Sequence, residues 1–198
     1  MTLKEKIVAE ALRQFSTKGF LATSTVDIIQ AAGTSKGGLY NHFKSKEQLF
    51  YEALSQARKI WRERNLNGVD EIPRPIDKIT RILANCRDHY LLDSDNFPGG
   101  CIFINLTVEL SDQRPQLAKA VTEGFARFKG MLRRLLDQER DAGTLAAGVD
   151  TGTVVEMVFS GLLGACVMYT ADKSVINLDR TIGTLIAYLD ALKADATP

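Results

Sequence analysis

Residues 25–46 read TVDIIQAAGTSKGGLYNHFKSK, and this segment constrains the fold more than any other part of the chain. Thr25 has the chemistry of a helix N-cap, and a short apolar helix over Val26–Ala32 follows it. Gly33 predicts a tight turn, after which Ser35 is placed to cap a second short helix. Two short helices joined by a glycine-containing turn have the layout of a helix-turn-helix, whose second helix enters the DNA major groove.

The rest of the chain also favours helices. It has 198 residues but only 5 prolines, and long stretches repeat apolar residues at the 3.6-residue helical period. We expect an all-α fold of about nine helices. A three-helix head over residues 1–48 would carry the helix-turn-helix, and a helical bundle over residues 49–198 would form the body.

Individual helix limits follow from caps and breakers. The first helix is predicted over Leu3–Lys18, where Gly19 stops it. Ser45 is placed to cap a long fourth helix, with Gln48 completing a capping box. Residues 67–75 contain a glycine and two prolines, which break helices. Later helices are predicted near residues 76–90, 101–110, 115–143, 150–171 and 178–192.

Charge is divided unevenly along the chain. Up to Leu66 there are 11 Lys and Arg against 6 Asp and Glu, a net of +5; the remainder has 14 against 18, a net of −4. A basic head on an acidic body is typical of a protein that contacts phosphate at one end.

The helix-turn-helix segment resembles the DNA-binding signature of TetR-type (TetR/AcrR) bacterial transcriptional regulators. There the order is a capped helix, an Ala-Gly turn, Ser-Lys-Gly, Leu-Tyr, His-Phe, and a lysine that opens the next helix; all these elements occur here. The resemblance covers roughly the first 50 residues. It implies a homodimer on double-stranded operator DNA, most often a repressor released by a small-molecule effector in the body. A cytoplasmic location is predicted separately, because three cysteines at unrelated spacing fit a reducing compartment better than a disulfide framework.

This resemblance and the chemistry of the residues together predict the DNA contacts. The start of the Thr25 helix can bind a phosphate, and Lys36 can reach a guanine edge or a phosphate. Gly37 and Gly38 are poor helix residues, which close approach to the groove would explain. The predicted DNA-binding residues are Thr25, Ser35, Lys36, Gly37, Tyr40, His42 and Lys46.

Cys101 suggests a second mechanism of regulation, in which a reactive thiol is modified. It follows Pro98-Gly99-Gly100 and opens a helix, where the dipole favours the reactive thiolate. The string GGCIFINLTVEL also resembles an electrophile- and oxidant-sensing subgroup of these regulators. The alternatives are a redox-sensing repressor acting through Cys101 and a buried cysteine that only packs. Cys86 and Cys166 lie in apolar helices and are expected to be inert.

An effector pocket is expected between the body helices, although aromatic residues and Met at helical spacing also build plain cores. The candidate lining residues are Trp61, Tyr90, Phe103, Asn105, Phe125, Met157 and Tyr169. Glu109 is the carboxylate of an otherwise apolar stretch, and it could recognise a cation or face solvent.

Subunit pairing is predicted for the last two helices, because their apolar stripe is broader than one chain's core needs. The predicted interface residues are Leu162, Ala165, Leu178, Ile182, Leu185, Ile186 and Leu189.

Other classes of protein have less support. Two histidines are too few for a convincing triad or His-rich metal site, and no phosphate-binding glycine motif occurs. We expect no enzyme activity, no metal and no cofactor. The run from Val154 to Tyr169 is shorter than the ~20 residues that span a bilayer, so a buried helix and no membrane are expected. The remaining alternative is a ligand-binding or catalytic bundle without DNA binding.

Overall fold

The computed structural model describes residues 1–92 and 95–194. Within these ranges the chain forms nine α-helices and one π-helical segment, so the predicted all-α fold is confirmed. The helices are α1 Leu3–Ala22, α2 Thr25–Ala31, α3 Lys36–Tyr40, α4 Lys46–Asn65, α5 Pro75–Asn85, α6 Ile102–Leu110, α7 Pro115–Asp141, α8 Thr151–Asp172 and α9 Val175–Ala191. The π-helical segment, Cys86–Leu91, continues α5.

Two compact units divide the chain. The first unit contains Met1–Trp61 and Asp93–Thr122, and the second contains Arg62–Leu92 and Glu123–Pro198. The chain passes between the units three times: within α4, after Leu92 and within α7.

The first unit is built on the apolar stripe of α1. Ile7, Ala11 and Phe15 are buried as predicted, whereas Leu3, at the open end of the stripe, is 40% exposed. The Phe20 ring lies 5.5 Å from Phe15 and 5.2 Å from the Phe50 ring of α4 (centroid to centroid). This aromatic cluster joins α1 to α4.

The first helix is interrupted where the sequence predicted its end. Gly19 has φ 79° and ψ 172°, so α1 consists of two helical segments joined by a break. The first segment ends at Gly19 as predicted, and Phe20, Leu21 and Ala22 form a short second segment in which Phe20 packs into the core.

Helix caps are close to the predicted ones. Ser45 Oγ accepts a hydrogen bond from Gln48 N at 3.1 Å, which confirms the cap of α4. The Gln48 side chain reaches one residue further back than a capping box requires, and its Oε1 accepts from Lys44 N at 2.6 Å.

The second unit contains α5, the π-helical segment, most of α7, and the antiparallel pair α8 and α9. Buried Glu139 of α7 supplies the cap that α5 lacks, because its Oε1 accepts a hydrogen bond from Ile76 N at 3.0 Å. Its Oε2 accepts from Arg74 Nε at 3.3 Å and from Thr144 Oγ1 at 2.6 Å. Buried Asn85 donates to the carbonyl oxygens of Asn65 and Asn67 and so satisfies the end of α4.

α8 is longer than the apolar run that predicted it. Of the described helices it is the one long and apolar enough to cross a membrane, judged by length and composition alone. The core helix of a soluble protein passes the same test, and α8 buries Val154, Val158 and Leu162 within its own unit.

Candidate nucleic-acid interface

The start of α2 differs by one residue from the prediction. Ser24, not Thr25, is the N-cap: its Oγ accepts from Asp27 N at 3.1 Å, and Asp27 Oδ2 accepts from Ser24 N at 2.9 Å. Thr25 is the first residue inside the helix. These hydrogen bonds lower the pKa of Asp27, with the backbone bond from Ser24 as the largest cause. The Ser-x-x-Asp spacing is a capping-box pattern that could have identified Ser24 from the sequence.

The turn and α3 follow the prediction. Gly33 forms the turn, and Ser35 Oγ caps α3 by accepting from Gly38 N at 3.0 Å. α3 has only five residues, so His42 lies beyond its end rather than on it. Leu39 is buried on the inner side of α3.

The outer side of α3 is exposed. Lys36, Gly37 and Tyr40 face solvent, as does His42 just after the helix. Tyr40 is 42% exposed, so its ring is not part of the core. These side chains can therefore reach a ligand outside the protein.

The two glycines of α3 differ in the space that surrounds them. A Cβ added to Gly38 would overlap Thr34 Oγ1, so a larger residue there would displace the Thr34 side chain. A Cβ at Gly37 would meet only Ser35 Oγ, at an ordinary 3.8 Å. A side chain at position 37 would therefore meet no obstacle within the protein, whereas one at position 38 would.

Lys46 points toward its own unit. Its Nζ lies 4.3 Å from the centroid of the Phe20 ring and 3.5 Å from Leu21 O. Burial lowers the pKa of the Lys46 ammonium, and Glu109 is the first carboxylate that acts in the opposite direction. Lys36 and Lys44 are exposed instead. Lys44 is a candidate phosphate contact that the sequence analysis missed, because the resemblance marks only the lysine two residues later.

Glu109 has neither of the roles expected from the sequence. Its carboxylate accepts hydrogen bonds from Phe20 N and Leu21 N, both at 2.7 Å, just after the break in α1. No periodicity in the sequence could find this contact, because it joins residues 88 and 89 positions apart.

Comparison with known proteins identifies the chain. Residues 7–53 match the family described as "Bacterial regulatory proteins, tetR family", and residues 75–185 match "Tetracyclin repressor-like, C-terminal domain". The chain belongs to the TetR family. It is a transcriptional regulator with a helix-turn-helix DNA-binding domain, and proteins of this family are generally not enzymes.

Individual relatives agree with this assignment. The chain is 28% identical to the transcriptional regulator LmrA of Bacillus subtilis over 174 residues, which is 86% of this chain and 88% of LmrA. It is 44% identical to QacR of Staphylococcus aureus over 63 residues, which is 32% of this chain and about a third (34%) of QacR. A TetR regulator from Chloroflexus aurantiacus superposes with a TM-score of 0.89 at 27% identity, covering 98% of this chain and 97% of that one.

The residues predicted to line an effector pocket fall in both units. Trp61, Phe103 and Asn105 belong to the first unit, and the Asn105 amide nitrogen already donates to Ser16 O and Gly99 O, each at 3.2 Å. Of the other four, Tyr90 is buried and Met157 is 41% exposed. Half-buried Phe125 packs edge-on against Phe159, and half-buried Tyr169 lies beneath Lys173 Nζ.

All three cysteines are buried. Cys101 occupies the N-cap position of α6, as predicted, but only 6% of its surface is exposed. Cys86 and Cys166 are each 3% exposed. A thiolate-forming position without access does not favour a sensor. Among the described residues no group of three His, Cys, Asp or Glu side chains could hold a metal ion.

Proposed function

We propose that this TetR-family regulator is a cytoplasmic repressor that reads its operator with the outer side of α3. The observation that carries the proposal is that the two sides of this helix differ. Leu39 is buried in the core on one side, and Lys36, Gly37 and Tyr40 are exposed on the other. Gly37 has room beside it that its own fold does not use. A short, capped helix with a bare outer side fits a major groove.

Phosphate contacts would flank α3. His42 and Lys44 are exposed just after it, and Thr25 opens the neighbouring helix α2. Lys46 would contribute its charge from a half-buried position, or turn outward when DNA approaches. Phosphate contacts fix the register of a protein on DNA, and base contacts carry the sequence information.

Subunit pairing would use the outer faces of α8 and α9. Of the seven residues predicted for this interface, only Ile186 is half-buried; the other six are buried inside one chain, and a side chain already buried offers no surface to a partner. The large apolar side chains that remain exposed are Met157, Val167 and Met168 on α8 and Val175 and Ile176 on α9. Gly164 and Gly183 are exposed with nothing within 4 Å of an added Cβ, so two helices could approach closely there.

A charge at the centre of that face tests the pairing. Gly164→Glu should leave one chain folded, because the site is open and glutamate favours helix. It should convert a dimer into a monomer at micromolar concentration. Ala126→Glu, on an exposed position of α7, is the matched control. Light scattering that finds a monomeric wild type, or a dimeric Gly164→Glu, would remove this interface. Ile182→Asp cannot serve, because Ile182 is fully buried and its loss disrupts the fold itself.

An effector bound in the helical body would release the operator by preferring the DNA-incompetent state. Within the second unit, Tyr90, Phe125 and Tyr169 remain candidate pocket residues, whereas Met157 is less suited because it is 41% exposed. Within the first unit, Trp61 and Phe103 remain candidates, whereas the Asn105 amide nitrogen is already bonded to Ser16 O and Gly99 O. No observation favours the cysteine mechanism over a reversible ligand.

Selection from a random DNA library tests the function as a whole. The wild-type chain should enrich a two-fold symmetric sequence whose half-sites lie about one helical turn, roughly 34–36 Å, apart. If the enriched sequence has no two-fold symmetry, the proposed dimer is wrong. If no sequence is enriched, the proposed operator-binding function is wrong.

A further inference from the structure

The break in α1 exposes backbone groups in the middle of a helix. Interrupting a helix leaves carbonyl groups before the break and N–H groups after it without their usual partners. Here the break is at Gly19, and Ser16 O precedes it while the N–H groups of Phe20 and Leu21 follow it. Ser16 and Phe20 are buried and Leu21 is half-buried, so these backbone groups need partners from the protein.

One side of α6 supplies those partners. Glu109 accepts from Phe20 N through Oε2 and from Leu21 N through Oε1, both at 2.7 Å. Asn105 lies one turn earlier on the same side of α6, and its Nδ2 donates to Ser16 O at 3.2 Å. A Cβ on Gly19 would overlap the Glu109 carboxylate. The two helices are therefore fitted to each other on both sides of the break.

The segment held by Glu109 connects directly to the DNA-binding helices. Only Ala22 and Thr23 separate Leu21 from Ser24, the N-cap of α2. On the other side, Lys46 Nζ lies 3.5 Å from Leu21 O, so the start of α4 contacts the same short segment. The segment thus lies beside both the entry to the helix-turn-helix and the exit from it.

We propose that Glu109, outside the helix-turn-helix, is a positioning residue for operator binding. Its carboxylate fixes residues 20–22 and so sets the orientation from which α2 and α3 continue. The proposal rests on the function proposed above and assigns one of its determinants to α6. Without the carboxylate the two N–H groups would turn to water, and the helix-turn-helix would sample orientations that do not fit the operator.

Simple electrostatics predicts the opposite change in DNA affinity. Removing a carboxylate makes the first unit more positive and leaves Lys46 without the nearby charge of Glu109, which would tighten binding to any DNA. Loss of a positioning contact instead weakens binding to the operator alone. The ratio of specific to nonspecific affinity separates the two.

The test compares Glu109→Ala and Glu109→Gln with the wild type. The probes are the duplex that the wild-type chain selects from a random library and an unrelated duplex of equal length, measured by fluorescence anisotropy. Glu109→Ala should bind the selected duplex about tenfold more weakly, the effect of losing a hydrogen bond to a charged acceptor. It should bind the unrelated duplex equally or slightly more tightly. Glu109→Gln should also weaken binding to the selected duplex, because its amide oxygen can accept from one N–H while its amide nitrogen, a donor, faces the other.

Two further measurements separate positioning from general destabilisation. Amide hydrogen exchange should accelerate at Phe20 and Leu21 in both variants. Glu139→Gln removes a comparable carboxylate cap from the second unit, and it should lower the melting temperature without changing the affinity ratio.

A folded Glu109→Ala with the wild-type affinity ratio would overturn the proposal. If that variant does not fold, Glu109→Gln decides by the same ratio and the same exchange rates. A wild type that selects no sequence is a failure of the proposed function, visible before any variant is made, and the positioning role fails with it.

Discussion

Each unit contains a carboxylate that caps backbone N–H groups of a distant segment, and the two differ in their surroundings. Glu139 in the second unit is 1% exposed and is bonded to Ile76 N, Arg74 Nε and Thr144 Oγ1. Glu109 in the first unit is half-buried and is bonded to Phe20 N and Leu21 N.

The difference separates a structural contact from an adjustable one. Glu139 has an arginine, a hydroxyl and a backbone donor around it, so its removal leaves several buried groups unsatisfied. Glu109 accepts its hydrogen bonds from two backbone groups, Phe20 N and Leu21 N, and it lies nearer to solvent. A contact of this kind can be broken at lower cost, which suits a segment leading into a DNA-binding element.

The largest expected effect is a loss of stability caused by a substitution in the second unit. Glu139→Ala removes the cap of α5 and leaves Arg74 without its carboxylate. We expect a loss of about 2–4 kcal/mol in the free energy of unfolding, less than for a fully buried pair because the Arg74 side chain is 35% exposed. Urea unfolding measures it. A loss below about 0.5 kcal/mol would mean that Glu139 is no more important than a surface residue.

The next effect comes from the break in α1. Gly19→Ala places a side chain at φ 79° and against the Glu109 carboxylate, whereas Gly143→Ala has a similar φ of 68° and open space. Both place a side chain at a positive φ, and Gly19→Ala should cost more, on the order of 1–3 kcal/mol, because φ 79° with ψ 172° is a conformation essentially confined to glycine. Only Gly19→Ala should also weaken binding to the selected duplex. Equal behaviour of the two variants in DNA binding would contradict the link between α1 and α6.

The sequence predicted local features well and distant contacts poorly. The all-α fold, the turn at Gly33 and the caps at Ser35 and Ser45 depend on short-range chemistry that a sequence displays directly. Glu109 and Glu139 act through residues 63 to 89 positions away, which no spacing pattern reveals.

Burial was predictable only in part. The α9 stripe containing Leu178, Ile182 and Leu185 was identified as apolar, but an apolar stripe has the same pattern whether it packs within a chain or against a second copy. Lys46 was identified by resemblance to the family. Its position over the Phe20 ring depends on the α1 break, which the sequence placed at a helix end.

Lys46 gives a smaller and more specific effect. If its ammonium reaches a phosphate in the complex, Lys46→Ala should weaken binding to all duplexes and reduce the slope of log affinity against log salt by about 1. Lys119→Ala, an exposed lysine of α7, is the control. An unchanged slope would mean that Lys46 stays on Phe20 and that its contribution to DNA binding is structural.

The smallest expected effect is chemical modification of the three cysteines, all of which are buried. Cys101, Cys86 and Cys166 should react slowly and at similar rates with N-ethylmaleimide in the folded protein. Mass spectrometry after a brief treatment measures this. Fast labelling of Cys101 alone, accompanied by release of DNA, would restore the redox mechanism.

The exposed side of α3 is the centre of this account, and Lys36 is its most direct test. Lys36→Ala should bind the selected duplex about tenfold more weakly than the wild type, the value of a lost base or phosphate contact, while Lys119→Ala stays within about twofold. Fluorescence anisotropy at fixed salt measures both. Equal affinities of the two variants for the selected duplex would contradict the assignment of α3 as the recognition helix.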